Sequence, residues 1–348
     1  MRKTGAWRSR MQALAPLAGL LMVVVFFCAA VTIQDWRQQD PAARSWREAF
    51  DAGLRFVGAR NMETLARQSA IVGTAALGMT LIIAMGGIDL SVGSVVALST
   101  VVMAWLLQRG GSPWAAAGGG VLLGAACGLF NGLLIIGLRV APFIVTLGTL
   151  LIARGAAKGL AQEQKIDVNP DALGWLGNLL STLGREERWM LVPPGVWALI
   201  ALAALTAVLL RYTRLGRHIF AIGSSEPAAR LCGVPVPRVK VTIYVLGAVF
   251  AGLAGVMQFS RLTVGDPTVA VGLELDVIAA VVIGGGSLAG GEGSVQGTII
   301  GALIMIVIRS GCSHMGLPNW VQEIITGLII VTAVTLDRLR QTRLGRQR

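Results

Sequence analysis

Long apolar runs broken by short polar stretches set the pattern of this chain. The clearest runs are Leu14 to Ile33, Ile71 to Met85, Ala115 to Leu138 and Val196 to Leu210. Leu14 to Ile33 and Ala115 to Leu138 are long enough for the ~20 helical residues that cross a hydrocarbon core, and the other two approach that length. Read along the whole chain, the pattern predicts about ten spans, at residues 12–33, 67–85, 91–108, 114–138, 140–160, 193–212, 241–261, 272–287, 293–310 and 319–337. The expected fold class is therefore an all-α polytopic membrane bundle of about ten transmembrane helices, a single domain over residues 1–348. The first span follows Arg2, Lys3, Arg8 and Arg10 as a signal peptide would. No small-residue cleavage site closes it and many spans follow, so it reads as a retained helix.

Composition agrees with a bilayer as solvent. Of 348 residues only 14% are charged and 54% are hydrophobic, against roughly 25% charged in soluble domains. The net charge of +12 does not point to nucleic acid, because the basic residues collect at span ends and in a few loops. With the basic N-terminus cytoplasmic, an even number of spans brings Arg338, Arg340, Arg343, Arg346 and Arg348 back to the same side. The 211–240 loop, with Arg211, Arg214, Arg217, Arg230, Arg238 and Lys240 against Glu226, falls there too. Residues 34–66 and 161–192 mix both signs and read as extracytoplasmic loops. Cys28, Cys127, Cys232 and Cys312 have no paired spacing and suggest neither a disulfide framework nor zinc.

Small residues mark helix faces that approach closely. Gly120, Gly124, Gly128 and Gly132 recur every four residues, and Ala248, Ala251, Gly252 and Gly255, then Gly297 and Gly301, repeat the theme. Packing within one subunit is favoured over a subunit interface. The glycines from Gly284 to Gly293 fit either a turn or a broken, re-entrant segment.

Two motifs carry candidate mechanism. GIDLSVGS, Gly87 to Ser94, puts Asp89 at a junction between spans, where an ionised carboxylate needs satisfying partners. Ser91 and Ser94 supply hydroxyls, and a helix beginning near Leu90 would make Asp89 its N-cap. That capping role is favoured over direct solute contact. EPAARLCG, Glu226 to Gly233, reads as a short cytoplasmic helix capped by Ser224 or Ser225, with Pro227 in its first turn, Arg230 in its last and Gly233 in the left-handed position beyond it. So short a helix is marginal alone. It either packs on its own loop or fits a groove on a separate ATPase subunit and transmits its closure. No G-x-x-x-x-G-K-[ST] phosphate loop occurs, so ATP, if it is the energy source, is hydrolysed on another chain.

From about Asn61 to Asp337 the chain resembles the permease family of ribose-type monosaccharide ABC importers, which is related to branched-chain amino-acid permeases. The matching pieces are ALGMTLIIAMGGIDLSVGS ending at Ser94, NGLLI from Asn131, APFIVTLGT from Ala141, LGRHIFAIGSSEPAARLCGV from Leu215 and LELDVIAAVVIGGGSLAGGEGSVQGT from Leu273. GIDLSVGS points to the sugar branch. The resemblance implies a bacterial cytoplasmic (inner) membrane permease with a second permease subunit, a homodimer or close homologue. It also implies two ABC ATPase subunits that hold ATP and Mg, and a periplasmic or extracellular sugar-binding protein. It implies no cofactor on this chain and no catalysis by it. The coupling helix would comprise Glu226, Ala229, Arg230, Leu231 and Gly233. Residues 34–60 are longer and more charged than is usual in the family.

Candidate residues of a translocation pathway or structural junction are Asp89, Ser91, Asn131, Thr146, Thr149, Gln258, Glu274 and Gln296, polar groups set in apolar spans. Interhelical hydrogen bonding competes with solute contact at each. His218 and His314 read as solvated loop residues. The functional alternative is a secondary transporter of a small polar solute driven by an ion gradient, with Asp89 and Glu274 as coupling carboxylates.

Overall fold

The computed structural model describes residues 3–40, 44–184 and 189–345, with side chains described between Pro16 and Thr335. The basic clusters at the two chain ends therefore lie outside the described side chains. The described residues are mostly helical, with one two-stranded antiparallel pair, β1 (Ile166–Asp167) and β2 (Val264–Gly265).

Helix α1 (Lys3–Gln38) is followed by α2 (Trp46–Arg55) and α3 (Ala59–Ala84). The expected loop at 34–66 is thus largely helical. Ser45 accepts the Glu48 amide at 3.5 Å and starts α2, the S-x-x-E pattern of a capping box. Ala49 and Gly53 face inward, Gly53 against Cys28 and Thr32 of α1, while Trp46, Phe50 and Leu54 form an exposed apolar stripe. Apolar on one outward face and charged beside it, α2 has the make-up of a helix lying in a membrane interface.

The following helices are α4 (Val92–Gln108), α5 (Pro113–Gly137), α6 (Pro142–Leu160), the short α7 (Pro170–Leu173) and α8 (Trp175–Asn178), and α9 (Pro194–Tyr212). Next come α10 (Arg214–Ser224), α11 (Glu226–Leu231), α12 (Val236–Leu262), α13 (Leu273–Ile283), α14 (Val295–His314) and α15 (Asn319–Gly345). Seven stretches among the described residues are helical, long and apolar enough to cross a membrane. Val92–Gln108 and Asn319–Thr335 are shorter apolar helices, and α13 is shorter still.

Helix α3 is the axis of the bundle: nearly every residue from Ser69 to Ala84 is buried. It is wrapped by α12, α14, α13 and α9. On α5 and α9, by contrast, large side chains such as Leu122, Leu133, Ile200 and Leu205 point outward, as they do where lipid replaces water. The glycine stripe of α5 packs within the subunit. A Cβ on Gly124 or Gly128 would run into the backbone of α12 at Ala248 or Tyr244, and one on Gly132 would lie 2.9 Å from Val241 Cα. Gly297 and Gly301 likewise let α14 lie on the backbone of α13, at Gly284 and Ala280.

Two ends of the bundle are tied by different contacts. At one, the Gly291 amide donates to Ala84 O at 2.9 Å, and Gly223 of α10 wedges against both residues. At the other, β1 pairs with β2, Gln34 Nε2 donates to Met315 O at 2.9 Å, and Arg67 Nε donates to Leu180 O at 2.6 Å. The glycines after Gly284 therefore form a turn pinned at the first end. The break falls earlier, at residues 266–272, ahead of α13. Gly265 packs on Val101 and Ala104 of α4, whereas Ala270 and Glu274 pack on Gly93. Eight residues of α4 separate these levels, so the chain descends about 12 Å without helix at 1.5 Å per residue. Irregular backbone at such depth survives only when buried in protein. Here Arg154 Nη1 donates to Pro267 O at 2.9 Å and Val269 O at 2.7 Å.

Candidate functional site: a buried polar junction and an exposed loop helix

Asp89, Ser91, Asn131, Thr146 and Thr149 come together. All are buried, in a region shared by the chain between α3 and α4 and by helices α5 and α6. Asp89 Oδ1 accepts the Ser91 amide at 2.8 Å and the Ser91 hydroxyl at 2.5 Å. Asn131 Nδ2 donates to Ser91 Oγ at 3.2 Å, and Thr149 donates to Asn131 Oδ1 at 2.5 Å. Thr146 lies alongside, 3.4 Å from Ile88 O. A chain of hydrogen bonds thus ties the GIDLSVGS loop to two neighbouring helices.

The expected cap needs correction. Helix α4 begins at Val92 with Ser91 in the cap position, and Ser91 makes no side-chain capping bond. Asp89 stands two residues earlier and closes an Asx-type turn onto Ser91, fixing the loop instead of the helix end. Ser94 donates to Ser91 O at 2.8 Å and not to Asp89.

Glu274, in the first turn of α13, abuts Gly93 at the start of α4. Asp89 Oδ2, Glu274 Oε2 and Tyr244 Oη are each buried without a hydrogen-bond partner. Gln296 is exposed in the first turn of α14, apart from the buried cluster around Asp89. Gln258 is buried, far along α12 from the Asp89 loop, in a cavity with Arg261, Asp276 and Arg309. Asp276 pairs with Arg309 at 2.7 Å. The sequence reading missed Arg154, Asp276 and Arg309, although an ionisable residue inside an apolar run was the signal that would have found them.

At the opposite extreme of exposure is α11. Ser225 supplies its cap, accepting the Ala228 amide at 3.4 Å, and Gly233 follows with φ of +79°. The helix ends at Leu231, shorter than Glu226 to Gly233. Ala229 is buried against its own loop, while Leu231 is 89% exposed. Glu226 anchors the element: Lys240 Nζ reaches Oε2 at 2.7 Å and Arg230 Nη2 reaches Oε1 at 3.0 Å. The hydrogen-bonded Lys240 ammonium above all, with Arg230 and against a smaller effect of burial, holds the Glu226 carboxyl below the usual carboxylate range.

A helical bundle with lipid-ready outer faces, a buried polar junction and one helix presented outside the bundle defines a multi-pass membrane permease. The model of the branched-chain amino acid transport system permease component family matches residues 61–334, and the chain belongs to that family. It is 37% identical over 290 residues to the ribose import permease protein RbsC of Escherichia coli (strain K12), covering 82% of this chain and 88% of the relative. It is 40% identical over 291 residues to the ribose import permease protein RbsC of Bacillus subtilis (strain 168), covering 81% and 86%. Over 288 residues it is 37% identical to the L-arabinose ABC transporter permease protein AraH of Azospirillum brasilense, covering 83% of each. No solved structure matches the chain.

Proposed function

We propose that this chain is the membrane permease subunit of an ABC importer for a monosaccharide of the ribose and arabinose kind. The observation that carries this reading is the similarity over four-fifths of the chain to ribose and arabinose permeases. It has no catalytic step of its own. ATP and Mg are held by separate ATPase subunits, a second permease subunit completes the membrane unit, and a periplasmic or extracellular binding protein delivers the sugar. The complex lies in the cytoplasmic (inner) membrane.

Ten crossings are supported by which segments meet at each end of the bundle. Following α1, α3, α4, α5, α6, α9, α12, α13, α14 and α15 in turn, the links alternate between the Gly223–Gly291 end and the β1–β2 end. The basic α10–α11 loop belongs to the first, which is the cytoplasmic end by the positive-inside rule. Both termini then lie in the cytoplasm. There Glu226, Ala229, Arg230, Leu231 and Gly233 form the coupling element: the exposed Leu231 enters the ATPase groove, and the inner contacts of Ala229 and Glu226 carry its displacement to α12. The Asp89–Ser91–Asn131–Thr149 chain holds three segments in one arrangement and acts as a junction about which the spans rock.

Proteoliposomes containing the permease, its ATPase and its binding protein test the reading. Uptake of ribose or arabinose should require ATP and survive collapse of ion gradients. Uptake that persists without ATP and stops with the gradient would replace this reading with ion-coupled transport.

A further inference from the structure

A second polar region lies nearer the β1–β2 end, apart from the Asp89 junction. Gln68 of α3, Gln258 and Arg261 of α12, Asp276 of α13 and Arg309 of α14 line a cavity of about 330 Å³, within the ~300–1,000 Å³ of small-molecule sites. Asp276 and Gln258 are only 3% and 4% exposed. Asp276 is held by Arg309 at 2.7 Å. Arg261 Nε is buried and unbonded, and the amides of half-buried Gln68 and buried Gln258 line the same cavity with no hydrogen bond to protein among the described residues. Buried polar groups normally find partners, so the unbonded Arg261 Nε, with two free amides beside it on one cavity, offers donors and acceptors to something that enters it.

The cavity adjoins a wider recess of about 680 Å³, with Gln68 and Arg309 lining both, and the recess extends past Arg60 and His314. Those residues sit at the start of α3 and the end of α14, at the β1–β2 end. The cavity thus lies next to a recess on that face.

The chemistry of the lining selects its occupant. Two amides that both donate and accept, one carboxylate and two guanidiniums offer directed hydrogen bonds to adjacent hydroxyls. Ile71, Val72 and Met305 supply an apolar wall for a ring's C–H face. One negative against two positive charges disfavours a cation. We infer that this cavity is a binding site for a neutral monosaccharide inside a single permease subunit, occupied on the way in from the outer face. The inference rests on the sugar-importer reading and adds to it a location and a set of recognising residues.

The test uses the complete complex of permease, ATPase and binding protein in proteoliposomes, with ribose and arabinose as probes. Gln258→Leu and Arg261→Gln should each raise the KM for uptake or lower its rate by about tenfold, the scale of one hydrogen bond lost to a bound group. Stimulation of ATP hydrolysis by the loaded binding protein should persist. In a background lacking the four native cysteines, Gln68→Cys should react with a maleimide more slowly when ribose or arabinose saturates the complex. If a substitution in the cavity abolishes ATPase stimulation through misfolding, the labelling arm decides alone. Wild-type KM and sugar preference in both variants, together with labelling indifferent to sugar, would overturn the site and leave the importer reading intact. Protection by a uronate but by neither neutral sugar would overturn the assignment to a neutral ligand. Failure of the wild-type complex to take up any neutral pentose or hexose would instead remove the importer reading beneath it.

Discussion

Leu231→Ala isolates the coupling helix from the rest of the fold. Leu231 is 89% exposed on a six-residue helix whose caps and ion pairs involve other residues, so trimming it removes no internal packing. The truncation deletes three carbon groups. At ~0.8 kcal/mol per buried CH₂, burying them in a partner's groove is worth about 2 kcal/mol, or roughly 30-fold in affinity. The assay is titration of fluorescently labelled ATPase subunit onto nanodisc-held permease, with thermal melting as a control for the bundle. Leu231→Ala should weaken ATPase binding about 30-fold and leave the melting point unchanged. Ala229→Pro should act more severely. It removes the Ala229 N–H···O bond to Ser225, now 2.9 Å, and costs about 3 kcal/mol in a helix too short to absorb it. ATPase affinity unchanged in both variants would refute the assignment of α11 as the coupling element. Loss in Ala229→Pro alone would move the contact to another face of the loop.

Cys232, the exposed cysteine among the four, should resist a membrane-impermeant maleimide in intact cells and react in inside-out vesicles; labelling from outside would reverse the topology. Asp89→Ala leaves the buried Ser91 amide without its acceptor, at a cost of about 1–3 kcal/mol. It should therefore lower the yield or transport rate without changing sugar preference, and Asp89→Asn should be milder; normal rates with a changed preference would make Asp89 a recognition residue. Gly128→Val pushes a side chain into α12 at Ala248 and Tyr244, whereas Gly148 has nothing within 4 Å. Melting should show a loss of about 1–3 kcal/mol for Gly128→Val and little for Gly148→Ala, and equal effects would discredit the close α5–α12 packing. Because pairing lowers the Glu226 carboxyl, its contribution is complete above the unfolded value of about 4.3 and is lost as pH falls through the lower folded value. Hydrogen exchange of α11, corrected for intrinsic rates, should stay protected from pH 7 to about pH 5, and deprotection near neutrality would contradict the pairing.

Much of this protein is written along the chain because a bilayer imposes a one-dimensional rule. Each crossing must be an apolar helix with its backbone bonds satisfied internally, so runs such as Ala115 to Leu138 announce themselves. The capped helix at Ser225 to Gly233 was legible for a similar reason: its cap, first-turn proline and terminal glycine are local signals, and they act within one turn. The stripe from Gly120 to Gly132 showed that some backbone approaches closely, and only the packed bundle showed that α12 is the one.

Tertiary structure decided what depends on residues distant in sequence. Asp89 meets Asn131 through Ser91, and Thr149 extends that chain, because three separate segments converge, an arrangement no local spacing encodes. Residues 266–272 carry Pro267 and Gly272, breakers that mark a turn but not its depth in the bundle. Their break is held by Arg154, more than a hundred residues away, which supplies the donors that their exposed carbonyls require. Arg261, Asp276 and Arg309 went unmarked in the sequence reading, although each is a charge within apolar surroundings. Which of them is paired, which is left open, and that two glutamines face the same space are consequences of how α3, α12, α13 and α14 pack, since a buried polar group takes its meaning from the partners that packing brings within reach.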